Sequence, residues 1–169
     1  QKYNCINHKE ILLPGLHLSG CDIDGNEINS ETDYAKYDYT IIWQIAPELA
    51  VDPMYLFNVY QMNDIYEKYK DKNIKFIYMG QEWNTEEELR NFRDNNDVMW
   101  QTFNVNRNVS RRLLINYGEC TSYLPSFLDE VTSGNQVCIV DKGRNIVYSS
   151  ILDGVTLNVF LEKILGNAG

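Results

Sequence analysis

Histidine, proline and paired cysteine are all scarce in this sequence. Its 169 residues include two histidines, four prolines and four cysteines. No Cys-x-x-Cys occurs, and only His8 and His17 could join Cys5, Cys21, Cys120 and Cys138, so a structural zinc site has no support. No apolar run approaches the ~18 residues that a membrane-spanning helix needs. Gly-rich phosphate loops, Gly-x-Ser-x-Gly elbows and His-Glu-x-x-His are all missing, and no cofactor is expected. Cations are few as well: 15 Lys and Arg stand against 24 Asp and Glu, a net charge of −9. With no basic stripe interleaved with aromatics, such a chain repels phosphate backbones, and nucleic acid is not an expected partner.

What is present suits a folded domain. The hydrophobic fraction of 44% and charged fraction of 23% are ordinary for a soluble protein. At this length roughly 70% of the unfolded surface can be buried, so neither metal nor disulfide is required to form a core. We read residues 1–15 as an irregular N-terminal segment and 16–169 as one domain. The chain begins at Gln1 rather than Met, read as an N-terminus trimmed by a signal peptidase or by the choice of boundaries. Cys5–Cys21 and Cys120–Cys138 are candidate disulfides for an oxidising compartment, each worth ~3 kcal/mol if unstrained. The alternative for Cys138, inside Val137-Cys138-Ile139-Val140, is a small buried hydrophobe. Twelve tyrosines fall at helix and strand spacings and read as core and surface.

Along the chain, Cys21 to Ile28 alternates apolar and polar residues around Asp24-Gly25-Asn26, which predicts a β-hairpin. Tyr39 to Ile45 is β-branched, aromatic and nearly continuously apolar, as in a strand covered on both faces. Asp52 as N-cap and Pro53 at the first helical position predict a helix with Tyr55, Val59, Met62, Tyr66 and Tyr69 along one stripe. Ile74 to Gly80 is another strand. Thr85 with Glu88 makes a capping box for a helix carrying Leu89 and Phe92, and helix-start charge accounts for Glu86-Glu87-Glu88 better than a metal site does. A short strand over Val98–Phe103 and a short helix over Ser110–Tyr117 follow. Then come a hairpin from Gln136 to Tyr148, with Gly143 expected to supply positive φ, and a closing helix that stops at Gly166. The order predicts an α/β fold, a mixed sheet with helices on both faces.

Several of these pieces together resemble the TlpA/redoxin branch of the thioredoxin superfamily. They are Asp24-Gly25-Asn26-Glu27-Ile28, Ile41-Ile42-Trp43, Ile65 to Lys72, Ile74 to Met79 and Val140 to Tyr148, spread over roughly residues 16–165. The resemblance implies a thioredoxin-like fold with an N-terminal hairpin, thiol–disulfide exchange on protein or peptide substrates, and an extracytoplasmic location, periplasmic or secreted, with a membrane tether at the N-terminus as one option. That chemistry needs a thiolate at a helix N-terminus, where the dipole and backbone N–H groups lower its pKa, and a second cysteine one turn later.

Neither thiol is here. Counting from Trp43 puts the family's pair at Pro47 and Ala50, and Ala46-Pro47-Glu48-Leu49-Ala50 also resembles the Cys-x-x-x-Cys of Sco copper chaperones with alanine at both ends. Two accounts of Ala46 and Ala50 stand: the natural chain has alanine there, or the alanines replace two cysteines. Both histidines precede residue 20, which speaks against a Sco-like copper site. The superfamily's cis-proline before the late hairpin is also missing: its place falls near Asn135 and Gln136, and Pro125 comes too early. The sequence therefore leaves two functions open. One is an oxidoreductase present without its cysteines. The other is a redox-inactive module holding a peptide or protein in a groove lined by Trp43, Glu48 and Trp83, with Asn135 and Gln136 beside it; ligands of open α/β sheets sit at strand C-termini. A relocated Cys120–Cys138 redox pair is disfavoured, because burial raises a thiol's pKa and blocks access.

Overall fold

The computed structural model describes residues 19–81, 83–104, 135–151 and 153–166. The readings made for the opening segment, Cys5, the Ser110–Tyr117 helix, Cys120 and Pro125 lie outside these residues.

The predicted first hairpin is formed by β1 (Ser19–Cys21) and β2 (Glu27–Asn29), antiparallel, with Cys21 opposite Glu27. Asp22 closes its turn. Its Oδ1 accepts from the Asp24 and Asn26 amides at 2.9 and 2.8 Å, and its Oδ2 accepts from Asn26 Nδ2 and Gln101 Nε2 at 3.1 and 2.9 Å. A carboxylate satisfied in this way can be buried, as Asp22 is. Gly25 sits at φ +88°, where a side chain would be strained. A short helix, α1 (Ser30–Asp33), then leads through a 3-10 turn over Tyr34–Lys36 that buries Tyr34.

A five-stranded sheet forms the centre, in the order β5-β4-β3-β6-β7. β3 (Tyr39–Ile45) lies between β4 (Ile74–Met79), parallel to it, and β6 (Asn135–Asp141), antiparallel. β5 (Gln101–Phe103) extends the parallel half, and β7 (Ile146–Ile151) the antiparallel half. Because β3 is central and covered on both faces, six consecutive residues, Thr40 to Ile45, are buried.

The strand alternation divides the core. Ile41, Trp43 and Ile45, with Phe76, Tyr78, Val137 and Ile139, meet three helices: α2 (Pro53–Tyr69), α3 (Glu86–Asn95) and α4 (Gly154–Leu165). Ile42, Ile77, Met79, Cys138 and Val140 face the other way, against Ile28, Tyr34 and Phe103. Cys138 is therefore a buried side chain within an apolar cluster. Aromatic rings fill the first core: Trp43 packs on Tyr78 and Trp100 with centroids 5.0 and 5.3 Å apart, and Phe76 meets Trp100 edge-on at 4.9 Å. Such pairs add about 0.5–1.5 kcal/mol each beyond their burial.

The helices start where their caps predict. Asp52 Oδ1 accepts from the Met54 amide at 2.9 Å, and α2 buries Val59, Met62, Ile65 and Tyr69, with Tyr55 and Tyr66 at the margin of the core. Both halves of the Thr85–Glu88 capping box form, at 3.2 and 3.0 Å. Asp153 caps α4, Lys68 ties α2 to Glu162 of α4 at 2.8 Å, and α4 stops at Gly166 with φ +72°.

One turn differs from expectation. In the β6–β7 connection the left-handed residue is Arg144, at φ +69°, and not Gly143. Asp141 and Asn145 close a three-residue loop through Asp141 N–H to Asn145 O, and such loops place the left-handed residue last. Asp141 Oδ1 accepts from the Gly143 and Asn145 amides at 2.9 Å and fixes that loop length.

Candidate functional site

The C-terminal ends of parallel β3 and β4 lie side by side, and the segments that leave them build the site. From β3 the chain passes through Ala46 into a 3-10 turn, Pro47–Val51, before α2 begins. From β4 it passes through Gly80 and Gln81 to Trp83, Asn84 and the start of α3.

The two exits are joined by polar contacts. Gln44, a polar residue inside an apolar strand, donates from Nε2 to Gly80 O at 3.0 Å, and Tyr78 donates its hydroxyl to Ile45 O at 2.8 Å. Asn84 is buried: its Oδ1 accepts from the Gln81 amide at 2.7 Å, and its Nδ2 donates to Glu48 Oε1 at 2.9 Å. Trp83 Nε1 donates to the other Glu48 oxygen, Oε2, at 2.5 Å. Glu48 thus holds an exposed indole and a buried amide at once.

Charge at this point is anionic. Burial pushes the Glu48 carboxyl up, but hydrogen bonds from Asn84, from its own backbone N–H and from Trp83 outweigh that, so its pKa lies below the ordinary glutamate value. Burial, and next the nearby Glu48 charge, raise the Tyr78 phenol well above its ordinary range and keep it protonated as a donor. Among the described residues no group of three or more His, Cys, Asp or Glu is arranged to hold a metal ion.

The sequence-derived residues separate into two groups. Glu48 and Trp83 are brought together. Trp43 is not in a groove: as the centre of the aromatic core it is fully buried, because β3 has neighbours on both sides and helices over this face. Ala46 is 1% exposed, while Pro47 and Ala50 are half-buried in the 3-10 turn. None of the three stands at the amino end of α2; that place belongs to Asp52, with Tyr55 one turn on. Pro47 and Ala50 lie in the 3-10 turn that precedes it, and Ala46 caps that turn. Asn135 and Gln136 begin β6, their backbones opposite Ile45 and Gln44, so this strand end adjoins the same exit. Among the described residues there is no cis peptide bond. Sequence reasoning missed Gln44 and Asn84, although a lone amide within Ile41-Ile42-Trp43-Gln44-Ile45 was a visible signal.

No protein-family model and no curated protein matches the chain. Solved structures do. The thioredoxin domain of a thiol-disulfide oxidoreductase from Bacteroides vulgatus is similar over 92% of this chain and 99% of its own, with TM-score 0.62 and 17% identity. A thiol:disulfide interchange protein of the thioredoxin family from Chlorobium tepidum gives TM-score 0.65 at 13% identity over 92% of this chain and 97% of its own. A secreted disulfide oxidoreductase from Mycobacterium tuberculosis gives 0.57 at 6% identity, covering 86% and 94%. At such identities the likeness concerns architecture. No helix among the described residues is long and apolar enough to cross a membrane. The mixed five-stranded sheet, the flanking helices and the small N-terminal sheet together give this chain a thioredoxin-like fold.

Proposed function

We propose that the chain is a thioredoxin-fold protein of the TlpA/redoxin thiol–disulfide oxidoreductase type in which the redox position carries no thiol and serves to hold a peptide or protein partner. The observation that carries this reading is the amino end of α2. A reactive thiolate in this fold draws on the helix's free N–H groups; here the Asp52 carboxylate already takes one of them, and Tyr55, one turn later, packs against the core. What remains beside it, Glu48 with Trp83 and Asn84, is a polar clamp with no nucleophile. An extracytoplasmic setting belongs to the same reading, supported by the secreted character of one structural neighbour.

A second reading is favoured by the names of the neighbours, which are oxidoreductases. In it Ala46 and Ala50 stand where an active form has cysteines. The burial of Ala46 weighs against it, since a thiol there would be shielded from a protein disulfide. Insulin reduction separates the two. This chain, Ala46→Cys/Ala50→Cys and Pro47→Cys/Ala50→Cys are all expected to be folded and inert. Turnover by either double variant, with a definable reduction potential, would establish the second reading instead.

A further inference from the structure

Large apolar side chains are unevenly exposed on this molecule. Among the described residues eight are more than half exposed, and five of these belong to one stretch of the fold: Val51 ends the 3-10 turn, Met54, Phe57 and Tyr60 are on α2, and Trp83 is bonded to Glu48 of that turn. In the 3-10 turn residues three apart eclipse one another, which puts Glu48, the anchor of Trp83, in register with Val51. Extended Asp52 ends that register, and on α2 Met54, Phe57 and Tyr60 follow three apart, a spacing that forms a surface ridge. From Met54 to Tyr60 the ridge runs about 9 Å along the helix. Val51, which precedes it, is 88% exposed.

The chain segments that build this ridge and lead to Trp83 carry charge of one sign. Residues 37–67 and 76–89 contain no lysine or arginine. Glu48, Asp52 and Asp64 flank the ridge along the chain, and Glu86, Glu87 and Glu88 open the helix that follows Trp83. The next cation along α2, Lys68, is already bonded to Glu162. Resting on the binding reading above, we infer that this ridge docks a segment of another polypeptide in which bulky apolar side chains are interleaved with lysine or arginine. The apolar side chains of the segment would cover Val51, Met54, Phe57 and Trp83, and its cations would meet the carboxylates on either side. A second copy fits poorly, because it would bring an acidic border onto an acidic border in a chain of net charge −9.

The test uses the unaltered chain and a short fluorescein-labelled peptide of alternating leucine and lysine, followed by anisotropy. Control peptides replace lysine by glutamate, or leucine by serine. The expected results are binding of the leucine–lysine peptide at least ~10-fold tighter than of either control, and weakening between about 0.05 and 0.5 M salt. Met54→Ser/Phe57→Ser, at exposed positions that leave the circular dichroism unchanged, should weaken it ~10-fold or more, whereas Met99→Ser, exposed elsewhere, should leave it unchanged. Equal binding of the glutamate peptide, indifference to the ridge variant, or a dimer in sedimentation that the ridge variant dissolves would each overturn the inference. Oxidoreductase turnover by a restored cysteine pair is a separate readout, so failure of docking and failure of the functional reading remain distinguishable.

Discussion

Glu48 carries the most consequence of any single residue in this structure, because one carboxylate organises both exits from the sheet. Its pKa is depressed in the folded chain, so its contribution to stability is fully present above the ordinary glutamate range and is lost as pH falls through the lower folded value. Solvent reaches the group, which keeps that contribution small. The indole of Trp83 reports it directly. Its fluorescence should hold constant on acidification through the ordinary glutamate range and change only below it, and Glu48→Gln should abolish that transition while leaving the signals of buried Trp43 and Trp100 in place. A transition at or above the ordinary range would mean that the Asn84 and Trp83 bonds do not hold the carboxylate in solution.

At the scale of elements, the exit from β4 is set by close approach. A Cβ at Gly80 would collide with Leu89 Cδ2 and come within 3.0 Å of Asn84 Oδ1. Leu89 is buried under α3 and cannot swing aside cheaply, so Gly80→Ala should cost about 1–3 kcal/mol in denaturant unfolding and should loosen the Asn84–Glu48 bond with it. Unchanged stability would show that α3 has slack against the sheet. Much at this scale was legible beforehand. Asp52-Pro53, Thr85 with Glu88, and the alternation around Asp24-Gly25-Asn26 each have a local cause, and each forms the predicted structure. The 3-10 turn Pro47–Val51 was not read from the sequence, although Pro47 at its first position is a favoured helix start. That turn fills the interval between the expected thiol positions and the helix terminus, an interval already implied by Pro47 and Ala50 preceding Asp52-Pro53. Trp43 was misread as a groove residue although the apolar run around it already predicted a strand covered on both faces, and a side chain on either face of such a strand fills a core.

The whole molecule combines a thioredoxin-like scaffold, a helix terminus occupied by its own carboxylate, and an acid-flanked apolar ridge leading away from it. The scaffold follows from periodicity and burial, which many sequences satisfy, and this is why structures at 13–17% identity share it. In the function proposed above, the work falls to a few side chains where β3 and β4 end. The claim that ties these together is that the electrostatically privileged position of this fold lies at Asp52 and not at Ala46. Single variants Asp52→Cys and Ala46→Cys, titrated by the ultraviolet absorbance of the thiolate as differences against the parent chain, test it most directly. The structure predicts that the thiol of Asp52→Cys has a pKa at least about one unit below the ordinary ~8.5, because it faces free helix N–H groups. The thiol of Ala46→Cys should titrate at or above the ordinary value, because that position is buried. A depressed pKa in Ala46→Cys with an ordinary one in Asp52→Cys would contradict the assignment and return the active-site position to the alanines.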